Sequence, residues 1–146
     1  GVCVVTAIGE DGRRSGLVVG SFTSISLTPP LVGFFPDKSS STWPTIEAVG
    51  RFCVNVLGAN QIDLCRRFSA KADDKFGDLA HGTSPSGQPL LDDAIAWIDC
   101  AIERVVEVGD HWFVVGAVEA LGTRDGKSPL LFFKGGYHDA VALPND

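Results

Sequence analysis

The feature that most constrains the fold of this chain is a series of short runs rich in Val, Ile and Phe, separated by Gly, Pro and Asp. β-Branched and aromatic residues favour extended strands, whereas Gly, Pro and Asp favour turns. The runs that predict strands lie at residues 2–8, 17–26, 31–35, 52–57, 94–108, 112–123 and 130–133. Asp-Gly or Gly-Asp pairs at residues 11–12, 109–110 and 125–126 predict turns between them. The chain is therefore expected to be mainly β.

Only two segments favour helix. Residues 41–49 begin with hydroxyl side chains that can cap a helix and carry a proline in the first turn, and Gly50 ends them. Residues 60–70 suit a second short helix, and residues 71–89 form the longest expected loop because small and polar residues dominate them. Long strands joined by hairpins, with little helix, favour a closed or nearly closed β-barrel over a parallel α/β sheet.

Composition limits the classes of partner. The 146 residues suit one domain spanning residues 1–146, and the net charge of -6 includes no cluster of Lys and Arg. Nucleic acid and anionic membranes both require clustered positive charge, so neither is expected as a partner. No apolar run approaches the roughly 20 residues of a spanning helix, and we expect a soluble, cytoplasmic protein. The chain lacks methionine and opens within a strand-like run, so we expect that residues preceding Gly1 have been removed.

Several kinds of chemistry are poorly supported by the sequence. There is no Gly-x-Gly-x-x-Gly dinucleotide motif and no Gly-x-Ser-x-Gly nucleophile motif, and the three histidines show no metal-ligand spacing. No metal site is therefore predicted. The cysteines form no Cys-x-x-Cys pair, which favours buried free thiols and a reducing compartment over disulfides or metal ligation. They are Cys3, Cys53, Cys65 and Cys100.

A more specific signal comes from three sequence segments. Residues 16–32 read Gly-Leu-Val-Val-Gly-Ser-Phe-Thr-Ser-Ile-Ser-Leu-Thr-Pro-Pro-Leu-Val, residues 37–43 read Asp-Lys-Ser-Ser-Ser-Thr-Trp, and residues 51–57 read Arg-Phe-Cys-Val-Asn-Val-Leu. With later landmarks in the same order, they resemble the flavin reductase-like family over nearly the whole chain. The resemblance implies a split β-barrel of the Greek-key, FMN-binding type with short peripheral helices. The later landmarks lie at residues 67–69, 74–76, 109–111, 129–133 and 135–137.

The residue chemistry of these segments agrees with flavin binding. A flavin has a flat ring, a polyol chain and a phosphate. Gly20 and Ser21 on an extended strand allow backbone amides to approach the edge of the ring. Hydroxyls and free amides at residues 39–42, ahead of a helix, form a site for a phosphate, although such a serine cluster is often only a helix cap. Lys75 and Lys38 are candidates to neutralise the phosphate charge.

Chemistry and resemblance together define a candidate cofactor site. The resemblance implies that residues 18–22 line the ring and the polyol chain, that residues 39–42 hold the phosphate and that the region of residues 75–76 closes the site. The family usually has Thr in place of Val18 and Ser or Asn in place of Gly20, so two side-chain contacts are absent here. The predicted cofactor-binding set is Val18, Val19, Gly20, Ser21, Phe22, Lys38, Ser39, Ser40, Ser41, Thr42, Trp43, Lys75, Phe76 and Tyr137.

Three residues of the candidate site allow two interpretations each. Trp43 either stacks on the ring or adenine or is a buried aromatic staple. His111 occupies the position that in the family faces the nicotinamide, where it would orient that ring by hydrogen bonding; otherwise it is a solvated turn histidine. Tyr137 either helps to place the pyridine nucleotide or is an ordinary strand aromatic.

The implied activity is that of an NAD(P)H:flavin oxidoreductase. NADH or NADPH would reduce FMN or FAD by hydride transfer, and a homodimer would supply reduced flavin to a separate monooxygenase. The sequence leaves the choice between the two flavins and between the two nucleotides open. One alternative is a non-catalytic flavin-binding electron carrier of the same fold, which the absent contacts at Val18 and Gly20 favour. A pyridoxamine phosphate oxidase or deazaflavin-dependent reductase shares the fold but matches residues 24–30 less well.

Overall fold

The computed structural model describes residues 1–145, in which eleven strands and two short helices are present. This mainly β architecture confirms the prediction. In these residues neither helix is long and apolar enough to cross a membrane. The elements are β1 (Cys3–Ile8), β2 (Arg14–Val19), β3 (Thr23–Leu27), β4 (Pro30–Phe34), α1 (Trp43–Val49), β5 (Arg51–Val56), α2 (Ile62–Ser69), β6 (His81–Thr83), β7 (Pro89–Leu91), β8 (Ala96–Val108), β9 (His111–Thr123), β10 (Leu130–Phe133) and β11 (Gly136–Asp139).

Seven of the strands form one antiparallel sheet in the order β2-β1-β5-β8-β9-β4-β3. The hairpins β1–β2 and β3–β4 lie at its two ends, and the chain passes from β4 through α1 to β5. Because β2 and β3 are both edges, hydrogen bonds do not close the sheet, and the architecture is that of a split barrel. Two small hairpins, β6–β7 and β10–β11, form separate two-stranded sheets.

The structure corrects three expectations about the elements. Residues 17–26 do not form one strand, because the chain leaves the sheet at residues 20–22 and β2 and β3 lie at opposite ends of the strand order. Residues 71–89 are not an unbroken loop, since β6 within them pairs with β7. The strand β11 was not predicted, although it pairs with β10 after a turn at Lys134 and Gly135, which both have positive φ.

Two apolar clusters form the core. In the first, between the large sheet and α1, the Phe34 ring packs edge-to-face on Trp43 at 5.7 Å and on Phe52 at 5.2 Å between centroids. In the second, beneath α2, Phe68 packs edge-to-face on Phe76 at 4.9 Å. These contacts place both short helices against the sheet, where burial of apolar area stabilises elements too short to persist alone.

Buried polar groups attach the β6–β7 hairpin to the large sheet. The Asp99 carboxyl group on β8 accepts hydrogen bonds from the hydroxyls of Ser84 and Ser86 and from the Ser86 amide. On β5, the Asn55 side chain accepts a bond from the Leu91 amide and donates to the Val4 carbonyl. Because buried polar groups are costly when unpaired, these bonds fix where the small hairpin lies.

All four cysteines are buried and none forms a disulfide, which confirms the prediction of free thiols. Burial raises the pKa of Cys3 to about 11 and the pKa values of Cys53 and Cys100 to about 12. These three thiols are therefore protonated near neutral pH.

Candidate functional site

An open groove with a volume of about 780 Å³ lies between β2, the segment that leads into α1 and the loop after α2. Six members of the predicted cofactor set line it, although they come from three separate parts of the chain. The groove is lined by Leu17, Val18, Ser39, Ser40, Ser41, Thr42, Phe68, Ser69, Ala70, Lys71, Ala72, Asp73 and Lys75.

The hydroxyl-rich segment before α1 is held by its own hydrogen bonds. Asp37 accepts a bond from the Ser39 amide at 2.8 Å, and Ser40 Oγ accepts bonds from the amides of Thr42 and Trp43 at 3.2 and 3.1 Å. The capping hydroxyl is thus that of Ser40, because the side chain of the N-cap residue Thr42 makes no capping bond. Free amides were expected at residues 39–42, but those of Ser39, Ser40 and Thr42 are occupied by these bonds and by the Asp37 carbonyl. The residues of this segment that line the groove all carry hydroxyls.

Lys75 supplies positive charge directly beside these hydroxyls. Its Nζ donates to Thr42 Oγ1 and to the Gly16 carbonyl, both at 3.3 Å. Desolvation in the groove lowers the pKa of Lys75, because partial burial disfavours its charged form. An ammonium group beside hydroxyls is suited to a phosphate. The negative charge of a phosphate would stabilise the ammonium form of Lys75, which burial disfavours.

An apolar cavity of about 210 Å³ adjoins the groove through Val18 and Ser69, which line both. A Cβ atom added at Gly20 would meet no atom within 4 Å, so the backbone there is open to a ligand. The walls are mostly apolar and can accept a flat ring. They consist of Val2, Val18, Gly20, Cys65, Ser69, Phe132 and Tyr137.

Tyr137 belongs to this apolar wall. Its hydroxyl lies 3.5 Å from Cys65 Sγ, and the Arg66 guanidinium stands 5.6 Å from the centre of its ring. The contact with Cys65 raises the pKa of Tyr137. The groove, which is suited to a phosphate, is continuous with the apolar cavity, which is suited to a flat ring. Together they fit the two chemically different ends of a flavin.

Several predicted residues do not reach the groove. Trp43 is only 2% exposed and packs on Phe34, so the structure supports the buried staple and not ring stacking. Val19 and Phe76 are also buried, in the first and second core clusters. Their side chains can support the walls of the site but cannot contact a ligand in this arrangement.

Three further residues point elsewhere. Phe22 packs against the first core cluster, and Ser21 Oγ accepts a hydrogen bond from the Phe35 amide at 3.0 Å. The Lys38 ammonium contacts the Glu107 carboxylate and lies 5.0 Å from the Trp112 ring. Lys38 is thus bound to β8 and β9, and we correct the expectation that it neutralises a phosphate in the groove.

His111 lies at the start of β9, beside the segment that leads into the groove. Its Nδ1 lies 2.7 Å from Asp110 Oδ1, its Nε2 lies 3.9 Å from Asp37 Oδ2, and its backbone pairs with that of Asp37. The imidazole is half-exposed and does not line the groove. It can contact a second molecule lying beside the groove, and the two carboxylates can fix its orientation.

The end of α2 and the loop after it contribute groove residues that were absent from the predicted cofactor-binding set. Ser69, Lys71 and Asp73 all line the groove. They are brought to β2 because Phe68 packs tightly over Gly16, where an added Cβ would lie 2.4 Å from Phe68 Cδ1. Their composition indicated only a loop. The one sequence signal that could have placed this loop beside β2 was Gly16, which leaves room for the apolar face of α2 at Phe68.

Comparisons of the whole chain agree with this site. The family model described as "Flavin reductase like domain" matches residues 1–140. A flavin reductase of Pseudomonas putida is 50% identical over 143 residues, covering 98% of this chain and 84% of the relative. HsaB, the reductase subunit of a flavin-dependent monooxygenase of Rhodococcus jostii, is 44% identical over 137 residues, covering 94% of this chain and 70% of the relative.

Solved structures show the same architecture. Nitrilotriacetate monooxygenase component B from Mycobacterium thermoresistibile has a TM-score of 0.93 at 38% identity, covering 100% of this chain and 84% of that one. SgcE6, an NADH:FAD oxidoreductase of Streptomyces globisporus in complex with NAD and FAD fragments, has a TM-score of 0.90 at 33% identity, covering 100% of this chain and 87% of that one. The similarity therefore extends along the entire fold.

Proposed function

Because this chain belongs to the flavin reductase-like family, we propose that it is an NAD(P)H:flavin oxidoreductase that supplies reduced FMN or FAD to a separate monooxygenase. The observation that carries the proposal is the continuity of the hydroxyl-lined groove at Lys75 with the apolar cavity at Gly20. When bound, the flavin supplies the redox chemistry by accepting a hydride from the nicotinamide at its N5 atom.

The groove residues hold the phosphate end. The hydroxyls of Ser39, Ser41 and Thr42 line the groove and would donate hydrogen bonds to a phosphate, and Lys75 beside them would add a charge-assisted bond. Ser40 keeps the segment in shape, since its oxygen already caps α1. These contacts anchor the cofactor without touching the ring.

The apolar cavity positions the ring. Val18 and Tyr137 provide apolar contact, and the open backbone at Gly20 permits close approach and hydrogen bonding to the ring edge. Such walls would limit the access of water to a bound ring and would restrict its orientation, and proximity of this kind supplies much of the rate. Hydride transfer requires no protein acid or base, so no acid–base role is assigned to Cys65 and Tyr137, whose side chains meet in this cavity.

His111 is assigned to binding of the pyridine nucleotide. Its position beside the groove, flanked by Asp37 and Asp110, suits hydrogen bonding to a nicotinamide carboxamide and not nucleophilic attack. We assign it an orienting role.

The chain is proposed to act as one domain within a cytoplasmic homodimer. Phe132 and Phe133 on β10 are 62% and 61% exposed beside the ring cavity, and large exposed apolar groups commonly mark association surfaces. Four buried free thiols are consistent with a reducing compartment.

A flavin carrier without NAD(P)H turnover is the second candidate. Val18 and Gly20 offer no side-chain hydrogen bond to the ring, so its electronics would be tuned only by backbone groups. Flavin colour that survives gel filtration, with no oxidation of NADH or NADPH, would favour the carrier.

The test is oxidation of NADH and NADPH by the purified protein with FMN or FAD in excess. We expect flavin-dependent oxidation far above the rate without protein. His111→Ala should raise KM for the nucleotide more than KM for the flavin, whereas His138→Ala, a second exposed histidine, should change neither. Flavin binding without oxidation in any combination would overturn the reductase.

A further inference from the structure

A smaller cavity of about 210 Å³ opens from the phosphate end of the groove. It shares Ser41, Thr42 and Lys75 with the groove, so a ligand held by these residues extends directly into it. Its far wall is formed by the end of the turn between β1 and β2 and by the first residues of β2, including Arg13 and Arg14.

The charge of this cavity contrasts with that of the whole protein. Arg13, Arg14 and Lys75 line it against a single acidic residue, Asp73, whereas the chain carries a net charge of -6. A local excess of positive charge in an acidic protein raises the local concentration of anions. The cavity is therefore selective for an anionic group.

Arg14 is held in place for such a group. One terminal nitrogen lies 3.0 Å from His81 Nε2, the other donates to the Gly77 carbonyl at 3.0 Å, and the guanidinium lies 5.0 Å from the centre of the Phe76 ring. A guanidinium carries five N–H donors, so about three remain for a ligand. The side chain needs little further ordering to bind a phosphate.

Arg13 is fixed only through its backbone. Its amide donates to Asp11 Oδ1 at 3.0 Å, and its carbonyl accepts from the Gly9 amide at 2.9 Å. Its side chain is exposed and forms no hydrogen bond or ion pair with any residue in the range 1–145. The guanidinium is thus free to contact a group in the cavity.

We propose that this cavity, called here the arginine pocket (Arg13, Arg14, Thr42 and Lys75), holds the second phosphate of a flavin dinucleotide. The groove and the arginine pocket adjoin at Thr42 and Lys75, which line both, so these residues would lie between two phosphates joined through one bridging oxygen. The site then prefers FAD to FMN. The inference rests on the proposed function, because it assumes that the first phosphate occupies the groove.

The test is calorimetric titration of the protein with FAD, FMN and riboflavin in the absence of nucleotide. We expect FAD to bind about tenfold more tightly than FMN, equivalent to about 1.4 kcal/mol. Arg13→Ala should remove most of this preference and leave FMN affinity within about twofold, a change below 0.5 kcal/mol. Arg124→Ala removes an equal charge outside the groove and the arginine pocket, where Arg124 meets Asp93, and should change neither affinity.

Two results would overturn the inference while leaving the proposed function intact. One is equal affinity of the unaltered protein for FAD and FMN. The other is an unchanged preference in Arg13→Ala accompanied by a higher KM for NADPH but not NADH, which would assign the pocket to the 2′-phosphate of NADPH. Absence of binding by all three flavins would instead refute the proposed function as well.

Discussion

At the scale of single residues, Lys75 carries the electrostatics of the site. It is the groove cation that bonds directly to the hydroxyl segment, through Thr42 Oγ1. Its pKa lies below the ordinary value of 10.5 because desolvation disfavours the ammonium form. A bound phosphate would therefore stabilise the ammonium form of Lys75.

Replacement of Lys75 should separate phosphate recognition from ring recognition. Lys75→Met should weaken FMN binding about tenfold, the loss of one charge-assisted hydrogen bond, and leave riboflavin nearly unaffected because it has no phosphate. Titration of both ligands against both proteins measures this. Equal loss for FMN and riboflavin would place the phosphate elsewhere.

The lowered pKa of Lys75 also predicts a pH dependence. The protonated amine binds the phosphate, so the ratio of FMN to riboflavin affinity should fall as pH rises, and should begin to fall at lower pH than for a lysine of pKa 10.5. Lys75→Met should abolish this dependence. A flat ratio in the unaltered protein would contradict the assignment.

The buried thiols should be unreactive. A rise in pKa from 9.0 to about 12 lowers the thiolate fraction of Cys53 and Cys100 about a thousandfold, and burial blocks access in addition. In a Cys65→Ser background the native protein should react slowly with a thiol reagent, and the unfolded protein should react at three sites. Rapid labelling of native Cys53 or Cys100 would show that the core opens.

At the scale of elements, the close approach of β2 to α2 shapes the groove. Gly16→Ala would place a Cβ 2.4 Å from Phe68 Cδ1, and we expect a loss of about 1–3 kcal/mol in the free energy of unfolding. Gly20→Ala, on the chain just after β2, meets no atom within 4 Å and should change stability by less than about 0.5 kcal/mol. Denaturant unfolding compares the two, and equal stabilities would refute the packing account.

Strands and helices were largely predictable, whereas their interruptions were not. The apolar runs at β1, β5, β8 and β9 were identified from β-branched residues. The first helix was identified from its capping residues and Gly50, and the second from the helical spacing of Ile62, Cys65 and Phe68. The break at residues 20–22 is invisible to such patterns because the residues remain apolar or small while the chain changes sheet position. The attachment of the β6–β7 hairpin to the large sheet depends on the Asp99 and Asn55 contacts, which are long-range.

At the scale of the whole molecule, the site forms where non-local segments meet. Residues 39–42 and Lys75 were predicted to act together at a phosphate from their chemistry and from the family resemblance, and the fold brings Lys75 within hydrogen-bonding distance of Thr42. Sequence patterns could not show that Lys38 turns towards Glu107 or that Trp43 is buried. The first outcome depends on contacts with β8 and β9, and the second depends on packing against Phe34 of β4. The open edge at β2 leaves the groove accessible to ligands.

The most direct test of the central claim is to mix the flavin-bound protein with NADH under anaerobic conditions and to record the visible absorbance of the oxidised flavin over time. The account predicts loss of this absorbance at a rate that saturates with NADH and greatly exceeds that of free flavin, with weaker nucleotide saturation in His111→Ala. A rate equal to that of free flavin, measured while the flavin is demonstrably bound, would contradict it and leave a flavin-binding protein without reductase activity.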